Sequence, residues 1–126
     1  MIAPKRSPWG AVQDATELAE GIWSVSTAGH GGIKLSPQRN KRVPIVWRRT
    51  DGWYEEDCHW AVVAVTFGES AGFTPAHVAA AHKTLKDYYP DAYERAYPGV
   101  AIAAEESYVV RKRQAGEDMS GWGYKR

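Results

Sequence analysis

The 126-residue sequence has a single cysteine, Cys58. No intrachain disulfide can form, and a lone thiol suits a reducing compartment. Neither sign of charge prevails, because 16 lysines and arginines stand against 15 aspartates and glutamates, a formal net charge of +1. That balance excludes a general nucleic-acid binder, which carries a marked basic excess. No apolar run approaches the roughly 20 residues that a membrane helix needs; the longest, Trp60–Phe67, is interrupted by Thr66. The first ten residues are polar, contain proline and hold no apolar signal-peptide core, which predicts a cytoplasmic protein. Internal repeats and low-complexity segments are missing too. Phenylalanine is scarce, with only two against six tryptophans and seven tyrosines. The rings present therefore mostly carry a polar edge, which suits contact sites as well as a core.

What is there is a folding sequence. At 44% hydrophobic and 25% charged residues it sits near the globular average, far from the disordered class. The length predicts a single domain over 1–126, with a flexible N-terminal arm over about 1–7 and a C-terminal tail over about 115–126 pinned by Trp122. Basic residues gather at Lys5–Arg6, Arg39–Arg42, Arg48–Arg49 and Arg111–Arg113, and acidic ones at Glu55–Asp57 and Glu105–Glu106. Patches of both signs point to specific polar contacts.

Along the chain, Ser7-Pro8-Trp9-Gly10 reads as a turn. Ala15–Leu18 and Ile22–Thr27, the latter with a two-residue period, flank Ala19-Glu20-Gly21 and predict a hairpin, with a short helix from Asp14 as the alternative. Ile33–Leu35 reads as a strand. Ser36-Pro37 opens a helical turn to about Arg42, ended by Val43-Pro44. Ile45–Arg49 reads as extended, and Thr50-Asp51-Gly52 as a turn. Acids in the first turn and apolar residues at helical spacing predict a helix over Trp53–Phe67, against which the β-branched valines leave a strand open. Thr74-Pro75 starts a second helix through about Tyr89, and Asp91 a third ending near Tyr97; Val100–Gln114 is ambiguous between helix and strand. The sum is an α+β fold, a small antiparallel sheet in the N-terminal half packed against two or three helices.

Two stretches carry candidate chemistry. In Ser26-Thr27-Ala28-Gly29-His30-Gly31-Gly32-Ile33-Lys34 the glycines permit positive φ and close backbone approach. Ser26, Thr27, His30 and Lys34 add donors, so Ser26, Thr27, His30, Gly31, Gly32 and Lys34 form a candidate anion pocket. It is no Walker loop, because the Gly-Lys-Ser/Thr ending is missing. The alternative is a plain glycine-rich hairpin turn. In the second stretch, Trp53, Tyr54, Glu55 and Glu56 are candidate ligand-binding residues, the two rings as faces for a base. Cys58 and His59 lack zinc-site spacing, and adjacent helical residues diverge by about 100°, so neither a metal site nor thiol catalysis is expected there. His77 and His82, five apart, do not share a helical face as a metal pair would. The sequence predicts no cofactor and no metal.

Pro8-Trp9-Gly10, Gly21-Ile22, Ser26-Thr27, His30-Gly31-Gly32, Leu35-Ser36, Pro44 and Trp53-Tyr54-Glu55-Glu56-Asp57-Cys58 ahead of Trp60-Ala61 together resemble an uncharacterised small domain family of phages, plasmids and integrated elements of proteobacteria. His59 departs from the pattern, where an acid is expected. The resemblance implies a genomic setting rather than an activity, and proteins of this size in that setting are expected to serve counter-defence. The expectation is thus a non-catalytic phage or mobile-element protein, acting in the host cytoplasm, that sequesters a nucleotide-like ligand as a sponge. The alternative is a direct inhibitor of a host defence protein, of anti-CRISPR or anti-restriction type. Self-association into a homo-oligomer is one way a small domain completes a pocket.

Overall fold

The computed structural model describes residues 1–116; the expectations for residues 117–126, including Trp122 as a pin, lie outside the described residues. Two antiparallel sheets come first. β1 (Arg6–Ser7) and β2 (Gly10–Ala11) make a short ribbon around Pro8-Trp9. β3 (Asp14–Ala19), β4 (Ile22–Ser26), β5 (Gly31–Leu35) and β6 (Trp53–Glu55) form a meander in chain order. α1 (Pro37–Asn40) interrupts the β5–β6 connection, and α2 (Trp60–Phe67), α3 (Pro75–Tyr88), α4 (Pro90–Ala96) and α5 (Tyr108–Gln114) follow the sheet. The fold class is α+β.

The expected hairpin is present, closed by Glu20-Gly21. Gly21 has φ of +80°, and a Cβ there would stand 2.6 Å from the Ser36 hydroxyl, so only glycine fits. Pairing of Ile22 with Leu35 and of Ile33 with Ser24 and Tyr54 sets one face of the sheet. That face packs on α2, whose Ala61, Val62, Val63, Ala64 and Phe67 are all buried. A helix apolar on nearly every side belongs in the middle of a core. The opposite face carries Trp23, Lys34 and Trp53 in one cross-strand row, and Val25, Gly32 and Glu55 in the next. The β1–β2 ribbon folds over it, laying Trp9 on Gly32 and edge-on to Trp53 at 5.6 Å between centroids.

Three expectations are corrected. The helix expected over Trp53–Phe67 begins only at Trp60, and Trp53–Glu55 is β6. The free edge of β5 needs a partner, and the strand turns Tyr54 inward to full burial while Trp53 and Glu55 face out. Helical spacing could not register that pairing because it is non-local. Ile45–Arg49 is a turn rather than extended: Trp47 N–H donates to Pro44 O (2.9 Å) and Arg48 N–H to Ile45 O (3.3 Å). The Arg48 guanidinium fixes it by donating to the carbonyls of Val43 and Lys41. Among the described residues four helices rather than two or three follow the sheet, because the ambiguous Val100–Gln114 segment ends in α5, whose N-cap Ser107 accepts from Val110 N–H. The helices opened by Thr74-Pro75 and near Asp91 stand where expected. Among the described residues no helix is long and apolar enough to cross a membrane.

Candidate functional site

The glycine–histidine stretch is the turn between β4 and β5. Thr27 closes it, its N–H donating to His30 O at 2.7 Å. Its hydroxyl donates to the same carbonyl and accepts from His30 N–H. Gly31 and Gly32 lie within β5, between β4 and β6. None of Gly29, Gly31 and Gly32 has positive φ, so the backbone conformation expected of an anion pocket is not adopted here. The glycines are small for another reason. A Cβ at Gly32 would collide with the Trp9 ring and the Tyr54 carbonyl, and one at Gly31 would meet Val25 O at 3.0 Å and the Glu56 carboxylate at 2.9 Å. Lys34 donates to Asp51 O at 2.5 Å and lies 5.2 Å from the Trp53 ring centroid; burial lowers its pKa. Ser26 sits in β4 between Asp14 and Gly31, and His30 is exposed on the turn.

A second group of residues meets in a cleft on the other side of β6. A cavity of about 290 Å³ lies between the 44–49 turn, the β6–α2 connection and α4. Its apolar wall includes Val62, Leu85 and Ala92, and its rim carries Arg48, Arg49 and Arg95. A smaller cavity of about 180 Å³, bounded by Trp9 and Trp53, shares Arg49, Glu55 and His59 with the first. Of the ten residues singled out in the sequence, Trp53 and Glu55 therefore line the cleft. Glu56 faces Gly31 instead. Tyr54 is wholly buried, and its role is positional. Its hydroxyl accepts from Arg49 N–H (3.0 Å) and donates to Asn40 Oδ1 (2.6 Å), while Asn40 Nδ2 donates to Arg49 O (2.7 Å). Arg49 is thus held on both sides of its peptide.

The three arginines are not equivalent. Arg48 is committed to backbone carbonyls, whereas the guanidiniums of Arg49 and Arg95 make no hydrogen bond or ion pair among the described residues. The His59 and Tyr89 rings neighbour each other, tilted by 34° with 6.0 Å between centroids. Burial, then the Arg49 guanidinium, lowers the His59 pKa and favours the neutral imidazole. Burial, with Cys58 and Glu55 beside it, pushes the Tyr89 phenol up to about 12. The Cys58 thiol is pushed up as well, first by burial and then by Glu55 and Asp57, so it keeps its proton at neutral pH. The cleft therefore presents hydrogen-bonding rings, an apolar wall and two unengaged cations.

Arg49, Arg95, His59, Tyr89 and Trp9 were not singled out as site residues from sequence. The Arg48–Arg49 pair before Thr50-Asp51-Gly52 was visible as a basic cluster, but nothing local shows which of the two is free. Residues 2–120 match the family model described as Domain of unknown function (DUF7007). No curated protein matches the chain, and no solved structure does.

Proposed function

We propose, for a chain that belongs to the family described as Domain of unknown function (DUF7007), that it binds a small anionic ligand bearing a planar ring, of nucleotide type, without turning it over. One observation carries the reading: two unengaged guanidiniums, Arg49 and Arg95, stand at the mouth of a cavity walled by the neutral rings of His59 and Tyr89. A guanidinium recognises phosphate through paired N–H donors, and a flat ring wall accepts a base. The 290 Å³ volume lies at the lower end of ligand-site sizes, roughly 300–1,000 Å³, which suits one ring system and its charge. Cys58 and Tyr89 both hold their protons at neutral pH, which supports binding over nucleophilic or phenolate chemistry. In the counter-defence setting of a phage or mobile element, the same binding removes a host signal from solution. A dimer would double the capacity of such a sponge.

The test is calorimetry and thermal shift with a panel of mononucleotides. A saturable, stoichiometric signal is expected, weakened about tenfold or more in Arg49→Ala and in Arg95→Ala, since a charge-assisted hydrogen bond contributes roughly 1.5–3 kcal/mol. His30→Ala, remote from the cleft, leaves it unchanged. Silence across the panel, or binding indifferent to both arginines, overturns the reading.

A second reading, inhibition of a host defence protein by surface contact, has Ile45 in its favour: this large apolar side chain is 82% exposed beside the cleft residue Val46. A pull-down that recovers one defined complex with the wild type and loses it in Ile45→Asp supports this alternative. Recovery indifferent to Ile45 argues against it.

A further inference from the structure

The two cavities of the cleft meet at Arg49, Glu55 and His59, and each ends in its own aromatic surface. The inner one has Tyr89 with His59 against it. The outer one has Trp53 with Trp9 standing edge-on at 83° and 5.6 Å, a corner of two indoles. Trp9 is held there by its backbone N–H donating to Ser7 Oγ and by the close seat of its ring on Gly32. The volumes, about 290 and 180 Å³, each suit one ring system rather than a larger group.

Charge narrows the ligand further. The side chains that line the joined cavities include three guanidiniums, Arg48, Arg49 and Arg95, and two carboxylates, Asp51 and Glu55; the Lys34 ammonium, 5.2 Å from the Trp53 ring centroid, stands outside that lining and is engaged by Asp51 O. One net positive charge remains, which one singly charged group balances. A triphosphate would bring several negative charges to carboxylates that repel it. Glu55 makes no hydrogen bond among the described residues and lies between the two aromatic surfaces. It can accept from a sugar hydroxyl or an exocyclic amine.

Resting on the nucleotide reading above, we infer that the ligand is a dinucleotide: two bases joined by one phosphodiester, one base in each cavity and the bridging phosphate at Arg49. Base–aromatic stacking of the second ring adds to the affinity, while additional phosphates add none.

The experiment compares adenylyl-(3′→5′)-adenosine, AMP and ATP by calorimetry on the full chain. The dinucleotide is expected to bind one per chain and at least about tenfold more tightly than AMP, the scale of one stacked base. ATP should bind no more tightly than AMP. Trp53→Val, which suits a strand, should weaken the dinucleotide about tenfold more than it weakens AMP, bringing the two affinities together, whereas Arg49→Ala weakens both alike. On the unsubstituted protein, the dinucleotide should shift the indole N–H resonances of Trp9 and Trp53 together with the His59 ring. This check does not depend on a variant folding. Dinucleotide and AMP affinities within about threefold of each other, with both sensitive to Arg49, would sink the two-ring ligand and leave the mononucleotide reading standing. So would shifts confined to one cavity. Binding of none of the three overturns both.

Discussion

Tyr54 shows how a single side chain can matter to a site without touching it. The phenol is fully buried and joins Arg49 N–H to Asn40 Oδ1. Tyr54→Phe strips both groups of their partner, with an expected loss of about 1–3 kcal/mol in chemical denaturation. Ligand affinity should fall as well, because the peptide that carries Arg49 is released on one side. Unchanged stability would show that water replaces the hydroxyl. His59 supplies a pH dependence. Burial, then Arg49, holds it below its ordinary 6.5, and burial with Lys86 moves His82 the same way. A histidine depressed in the folded chain binds its proton more readily when unfolded. Its contribution to stability is complete above pH 6.5 and is lost as pH falls through that value towards the folded pKa. The urea midpoint should therefore drop below pH 6.5, and His59→Gln should remove part of the drop, leaving the part that belongs to His82. A variant with the wild-type profile would assign the whole effect elsewhere.

Among the elements, those with local punctuation were legible and those made by partnership were not. Thr74-Pro75 opens α3 as the cap chemistry predicts, the Thr74 hydroxyl accepting from His77 N–H at 3.1 Å and the His77 ring accepting from Thr74 N–H in return. Thr74→Ala should cost about 1 kcal/mol, read as a lower unfolding midpoint at unchanged slope. Thr74→Ser should restore most of it. The β3–β4 hairpin was equally legible, because its alternation and Gly21 are properties of neighbouring residues. β6 was not. Trp53, Tyr54 and Glu55 precede an apolar run at helical spacing, and only the exposed edge of β5 makes them a strand. The 44–49 turn was misread for a related reason. The Arg48 guanidinium, which holds it, finds its acceptors at Val43 and Lys41 only after the chain has turned.

At the scale of the molecule, the β1–β2 ribbon closes the outer face of the sheet and supplies Trp9 to the cleft. Removal of residues 1–11 should expose Val25 and Trp53, lower stability by about 2 kcal/mol and raise the binding of a hydrophobic dye. A truncated chain with wild-type stability and no dye binding would mean that the ribbon covers nothing. Composition, periodicity and caps together determined the α+β class, the hairpin, the helices opened by Thr74-Pro75 and near Asp91, and a candidate set that included Trp53 and Glu55, since each rests on residues within a few positions of one another. The family resemblance, too, was written in contiguous motifs. Tertiary structure decided the rest. It made Gly32 a seat for Trp9, set Gly31 against Val25 O and the Glu56 carboxylate, and gave neither glycine a positive φ. It buried Tyr54 and drew Arg49, His59, Tyr89 and Arg95 from three separate segments to one cleft. Which of two adjacent arginines stays unengaged depends on carbonyls brought near by folding, and sequence order does not encode those distances.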